Sequence, residues 1–173
     1  MKAKLILLFS AIAIVFIVYS LIDNSAMNAS ASTLAWQTYD RGIEQAATLN
    51  KKILLDVYTD WCSWCKKMDK EVYVDETVTT LLKEKFIVVK LNAESSKTLT
   101  HDGIVYTEQQ FATALGITGY PTTVFFEPNT KPITLVSGYM EPATFTNVLR
   151  FIGEDHYKSI SYEEYLQKAG QSR

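Results

Sequence analysis

The chain has 173 residues, of which 47% are hydrophobic, 21% charged and 12% aromatic, values that exclude a disordered, collagen-like or coiled-coil protein. Seventeen basic residues against nineteen acidic ones give a net charge of −2, and without a long basic run nucleic acid is excluded as a partner. Two cysteines are too few for a disulfide-stapled scaffold, so one compact domain with its own core is expected.

The first segment stands apart from that domain. Lys2 and Lys4 precede an apolar run from Leu5 to Ile22, broken only by Ser10 and Ser20 and ended by Asp23 and Asn24. A small-residue stretch with Ala29 and Ala31 two apart follows. A positive start, an apolar centre and an Ala-x-Ala site predict a secretory signal peptide over residues 1–31, cleaved after Ala31 to leave residues 32–173. The alternative is an uncleaved anchor, because residues 5–22 reach the lower limit of a membrane span. An ordinary core helix is the third reading. The first two place the domain outside the cytoplasm, periplasmic or otherwise, because the lysines stay inside. Contact with the membrane is then only through this segment, if it is retained.

From Trp36 to Asn50 a mostly helical spacing of Tyr39, Ile43 and Ala46–Ala47 predicts a helix. Ile53 to Tyr58 is apolar on both parities, as in a strand buried on two faces. Helices are predicted from about Cys62 to Val72 and from about Asp75 to Lys85, then a second buried strand from Phe86 to Leu91. Residues 92–106 are polar and read as a surface loop. Thr107 to Leu115 is a short helix whose Thr107-x-x-Gln110 forms a capping box. A Gly116-Ile117-Thr118-Gly119-Tyr120-Pro121 turn leads into a strand from Thr122 to Phe126. Pro128 to Pro132 turns the chain back into an antiparallel strand from Ile133 to Ser137. Pro142 to Ile152 is a helix with Phe145, Val148, Leu149 and Ile152 on one face. An extra C-terminal helical segment from about residue 154 includes a helix opened by Ser161-x-x-Glu164. Strands separated by helices imply parallel pairing through crossovers. The fold class is therefore α/β, a mixed central sheet with helices on both faces.

The chemistry centres on Cys62-Ser63-Trp64-Cys65, where a buried strand gives way to a helix. Unpaired N–H groups and the positive dipole end of a helix stabilise a thiolate at Cys62. Cys65, three residues on, is within reach of a disulfide and is expected nearer the core. The spacing thus provides an exposed nucleophile and a resolving partner. Zinc is a competing reading, but its remaining ligand candidates, His101 and His156, are far apart in sequence and belong to no second paired motif. A structural staple is another, although so short a loop stabilises little. Asp56 interrupts the first strand six residues before Cys62. It is either a buried proton acceptor for Cys65 or a carboxylate on a solvated strand face. Lys90 lies among Val88, Val89 and Leu91, as a partner for Asp56 or as a snorkelling surface lysine. Pro121 enters a strand, with a cis or a plain trans bond.

Taken together, Asp56 to Lys66, then Lys90-Leu91-Asn92, then Gly116 to Thr122, resemble the thioredoxin family, in order, over about residues 35–152. The resemblance implies a thioredoxin fold. It further implies that Cys62 attacks, Cys65 resolves, Asp56 and Lys90 assist proton transfer, and Pro121 is cis and faces the Cys62–Cys65 disulfide. Trp61 matches the family tryptophan beside the first cysteine. Trp61, Trp64, Tyr120 and Pro121 form the expected substrate-binding rim. Three departures stand out. Ser63-Trp64 replaces the usual Gly-Pro, the loop from Glu94 to Gln110 is long, and a tail follows Gly153.

With the export segment, these features look like envelope thioredoxin-like reductases, such as the soluble domain of transmembrane thiol–disulfide interchange proteins. The resemblance implies protein thiols and disulfides as substrates and a membrane electron-donor protein as partner, with no cofactor or metal. The rival function is a non-catalytic thioredoxin-fold binding or chaperone module in envelope protein or cytochrome maturation.

Overall fold

The computed structural model describes residues 33–171, so the leader predicted over residues 1–31 lies outside the described residues. Helix α1 (Tyr39–Leu49) leads to strand β1 (Lys52–Tyr58), α2 (Ser63–Glu71), α3 (Glu76–Lys85) and β2 (Phe86–Asn92). Strands β3 (Thr98–His101) and β4 (Ile104–Thr107) follow, then α4 (Glu108–Ala114), β5 (Thr122–Phe126), β6 (Pro132–Ser137) and α5 (Pro142–Gly153). A 3-10 turn at His156–Lys158 and α6 (Tyr162–Gln171) complete the chain.

The main sheet has the order β2-β1-β5-β6. β1 pairs parallel with β2 and antiparallel with β5, and β5 pairs antiparallel with β6. The antiparallel β1–β5 pair corrects the expectation that helix-separated strands run parallel. The link from β2 to β5, residues 93–121, is not a single crossover helix: it holds the β3–β4 hairpin as well as α4, and it brings the chain into β5 at the end of the sheet where β2 leaves.

Strand alternation divides the core into two. Ile53, Leu55 and Val57 of β1 face Tyr39, Ala46, Phe111 and Phe126 on one side. Leu54 faces Met68, Val78, Phe125, Phe145 and Leu149 on the other. Asp56 has the parity of Leu54. Its register partners are Lys90 on β2 and Thr123 on β5, so the three form one row across the sheet.

Two expected elements differ. Residues 92–106 contain a β-hairpin, not only a loop. Leu99 is buried between exposed Thr98 and Thr100, and the turn at Asp102-Gly103 has φ of 49° and 77°. Two positive φ values are what a tight hairpin turn of the primed kind requires. The hairpin is pinned to α1. Asp40 Oδ1 accepts the Thr100 N–H at 2.8 Å, and Tyr39 is hydrogen-bonded to His101 Nδ1 at 2.7 Å. Helix α1 starts later than Trp36 because the preceding residues are extended along the edge of β2. There the Gln37 N–H donates to Val88 O at 2.9 Å, and Gln37 O accepts the Lys90 N–H at 3.2 Å.

The capping box predicted at Thr107 and Gln110 is present, with reciprocal bonds of 3.1 and 2.8 Å. Past Gly153 the chain is held by Lys52 and Lys158, which ion-pair with Asp155 at 2.9 and 2.8 Å. Past residue 154 a 3-10 turn comes first, and the helix of this tail begins at Tyr162, where Ser161-x-x-Glu164 places it, with Ser161 Oγ accepting the Glu164 N–H.

Candidate active site

β1 ends at Tyr58, and the next residues swing the chain into α2. Cys62 is the N-cap of that helix, and its Sγ accepts the Cys65 N–H at 3.0 Å. The Cys62 N–H donates to Thr59 O at 3.2 Å, which fixes the turn. Cys62 and Cys65 are joined by a disulfide, with Cα atoms 5.3 Å apart. The staple and redox readings share this bond, while among the described residues no three His, Cys, Asp or Glu side chains converge to hold a metal ion.

The expectation that Cys62 stands exposed and Cys65 lies deeper is corrected. Both are buried, at 4% and 5% exposure. Each sulfur is bonded to the other, and the Cys62 sulfur is turned onto the helix N-terminus. The exposed surface here belongs to Trp61 and Trp64, at 64% and 56%. Trp61 donates its indole N–H to Glu94 Oε1 at 2.8 Å and meets the Tyr120 ring edge-on at 6.0 Å. That contact brings the residue before Pro121 against the cysteine loop. The Tyr120–Pro121 bond is cis and Pro121 is buried. Trp64 leans on Tyr139 with ring centroids 5.4 Å apart. Lys67 lies over both rings, 5.3 and 4.6 Å from their centroids.

On the sheet, Asp56 is 2% exposed, so the solvated-face alternative does not hold. Its Oδ2 is 3.5 Å from Lys90 Nζ. Its Oδ1 is buried without a hydrogen-bond partner, as are Thr59 Oγ1 and Tyr73 Oη. Burial pushes the Asp56 carboxyl up to about 6, against the opposing pull of the Lys90 charge, with Asp69 adding a smaller upward push. Burial, then the charge of Asp56, raises the Tyr73 phenol well above its ordinary range.

A family profile described as a thioredoxin-like domain matches residues 39–153. The chain belongs to that family. It carries the Cys62–Cys65 pair of a thioredoxin-like thiol–disulfide oxidoreductase. A thiol:disulfide interchange protein DsbD of Actinobacillus pleuropneumoniae is 28% identical over 109 residues, covering 60% of this chain and 16% of that protein. The DsbD of Citrobacter koseri is 31% identical over 111 residues, covering 61% of this chain and 17% of its own length. The matched part thus spans about a sixth of these relatives. Among solved structures, a thioredoxin-fold protein from Helicobacter pylori superposes with a TM-score of 0.58 at 26% identity, covering 72% of this chain and 82% of that one. A thioredoxin from Thermus thermophilus superposes with a TM-score of 0.57 at 24% identity, covering 69% and 86%, a likeness of fold.

The structure brings Asp56 and Lys90 together on the sheet, and Trp61 and Tyr120 together at the rim. Trp64 sits apart from that second pair, against Tyr139. Side chains that the sequence reading did not single out complete these groups. Asp69 accepts a hydrogen bond from Lys90 Nζ, and Trp36, Tyr58 and Tyr73 surround that ammonium. Asp69 had a legible signal, because it follows Cys65 by four residues and so shares its helix face. Trp36 and Tyr139 had none, since both reach the site from distant segments.

Proposed function

We propose that this chain is an extracytoplasmic thiol–disulfide oxidoreductase that reduces protein disulfides through Cys62 and Cys65. The observation that carries the reading is the Cys62 sulfur at the N-cap of α2, accepting the Cys65 amide N–H at 3.0 Å. That position favours the thiolate over the thiol.

In the reduced protein the Cys62 thiolate attacks one sulfur of a substrate disulfide. A mixed disulfide forms and the other substrate sulfur leaves as a thiolate. Cys65 then loses its proton to Asp56 and attacks Cys62 Sγ. The substrate leaves with both its sulfurs reduced, and the protein is left as the Cys62–Cys65 disulfide. Two electrons have passed to the substrate, and a membrane electron-donor protein restores the dithiol. Lys90 holds Asp56 in its working range, and Pro121 closes the site beside the sulfurs. Trp61, Trp64 and Tyr120 contact the substrate. Support for the reducing direction comes from the Asp56–Lys90 pair, and support for the partner from the thiol:disulfide interchange relatives. The leader supports export, with residues 32–173 as the working domain, either released after Ala31 or anchored by residues 5–22.

Reduction of insulin by dithiothreitol tests the activity. Wild type accelerates it, and a rate no faster than that of Cys62→Ser overturns the proposal. A Cys65→Ser variant accumulates covalent mixed disulfides. Their absence would favour the binding-module reading, in which the exposed Trp61 and Trp64 serve contact alone. A reduction potential near about −270 mV fits a reductant, whereas about −120 mV marks an oxidant.

A further inference from the structure

We infer that Trp36, three residues before the stretch that the family profile matches, is a positioning residue of the redox site: with Tyr58 and Tyr73 it forms an aromatic cage that holds the Lys90 ammonium against Asp56. The inference rests on Asp56 acting as the proton acceptor of the site.

A lysine on a strand at the edge of a sheet ordinarily extends its ammonium into water. Lys90 does not. Its Nζ lies 4.9 Å from the Trp36 ring centroid, 5.2 Å from Tyr58 and 5.9 Å from Tyr73. All three distances fall within cation–π range. The rings come from three separate segments: the arm before α1, the end of β1 and the turn after α2.

The arm is held in register by the two backbone bonds of Gln37, one on each side of Val89. Trp36 is further fixed by an edge-on contact with Tyr73, centroids 4.9 Å apart. The indole is therefore set by the sheet edge and by the turn after α2, and the ammonium by the indole.

The cage matters because two carboxylates compete for one ammonium. Asp69 is half-exposed and hydrogen-bonded to Lys90 Nζ, whereas Asp56 is buried and 3.5 Å away. Without the rings, Lys90 is free to follow Asp69 outward. Asp56 then keeps its burial and loses its counter-charge. The titratable groups facing Asp56 are Lys90 from β2, Asp69 from α2, Tyr73 from the turn after it and Tyr58 from β1. β5 presents the uncharged Thr123, and the arm presents no charge.

The test is a carboxyl-carbon NMR titration of Asp56 in the oxidised full chain. Trp36→Leu keeps apolar bulk and removes the π face. It should raise the midpoint by about half a unit or more, and Trp36→Phe by less. In a Lys90→Met background Trp36→Leu should add no further shift. No shift in Trp36→Leu, or an equal shift with Lys90 absent, overturns the inference. If Trp36→Leu does not fold, Tyr58→Leu removes another wall of the cage, with the same expected shift and the same overturning results. The titration needs no turnover. A midpoint that moves as stated while the pH profile of insulin reduction stays fixed therefore leaves the cage standing and removes Asp56 as proton acceptor.

Discussion

Asp56 and Lys90 are register partners on adjacent parallel strands, with Oδ2 3.5 Å from Nζ, on the sheet face that carries Leu54 and Val88 into the core. The carboxyl, pushed up to about 6 from its ordinary 3.8, binds its proton more tightly folded than unfolded. Its burden on stability is therefore absent below the unfolded value, grows as pH rises through that interval and is complete above about 6. Asp56→Asn should raise the unfolding free energy at pH 7.5 by on the order of 2–3 kcal/mol, with the gain gone by about pH 3.5. Urea unfolding at the two pH values checks this. Lys90→Met should move the Asp56 midpoint upward, read by the same carboxyl titration.

Helix α1 crosses β2 at Gly42. A Cβ there would lie 2.2 Å from Val89 Cγ2, and Val89 is a stiff, fully buried side chain. Gly42→Ala should therefore destabilise by about 1–3 kcal/mol despite the better helix propensity of alanine. Adding Val89→Ala should make Gly42→Ala less costly than it is alone, which a double-mutant cycle in urea measures.

The β3–β4 hairpin turns Leu99 and its register partner Tyr106 toward the core, and of the two only Leu99 is fully buried. Leu99 is 3% exposed, while Val105 across the hairpin is 67% exposed. Leu99→Ala should cost about 2–4 kcal/mol, and Val105→Thr less than about 0.5 kcal/mol. Equal effects in thermal unfolding would show that the hairpin does not alternate as described.

Trp64 rests on Tyr139, whose hydroxyl donates to Glu71 Oε2 at 2.9 Å. If this pair is one wall of the substrate rim, Trp64→Ala should lower kcat/KM for a peptide disulfide about three- to tenfold, mainly through KM. Tyr139→Leu should act in the same direction with a smaller effect. Steady-state kinetics on one peptide substrate separates KM from kcat.

Much of the fold is legible because strong local signals agree. Largely apolar runs mark β1 and β2, the turn through Pro121 marks the start of β5, and the Thr107–Gln110 box starts α4 within one residue of the expected place. The hairpin is hidden because its only buried strand residue is Leu99, with polar threonines on either side; the Asp102-Gly103 pair is the signal for its turn. At the site, spacing from Cys62 pointed to Asp56, and the parity of β1 and β2 set it beside Lys90. The rings Trp36 beside Lys90 and Tyr139 beside Trp64 were not legible, since they lie 54 and 75 positions away in the chain.

Periodicity and spacing act over a few residues, so the chain alone determined its helices and the strands of its main sheet, the Cys62–Cys65 pair at a helix start and the acid upstream of it. Tertiary packing decided the rest. It set the direction of β5, because the β3–β4 hairpin and α4 fold back to the end of the sheet that β2 leaves. It buried both sulfurs, and it chose which rings surround the Lys90 charge, because contacts between distant segments depend on how whole elements stack.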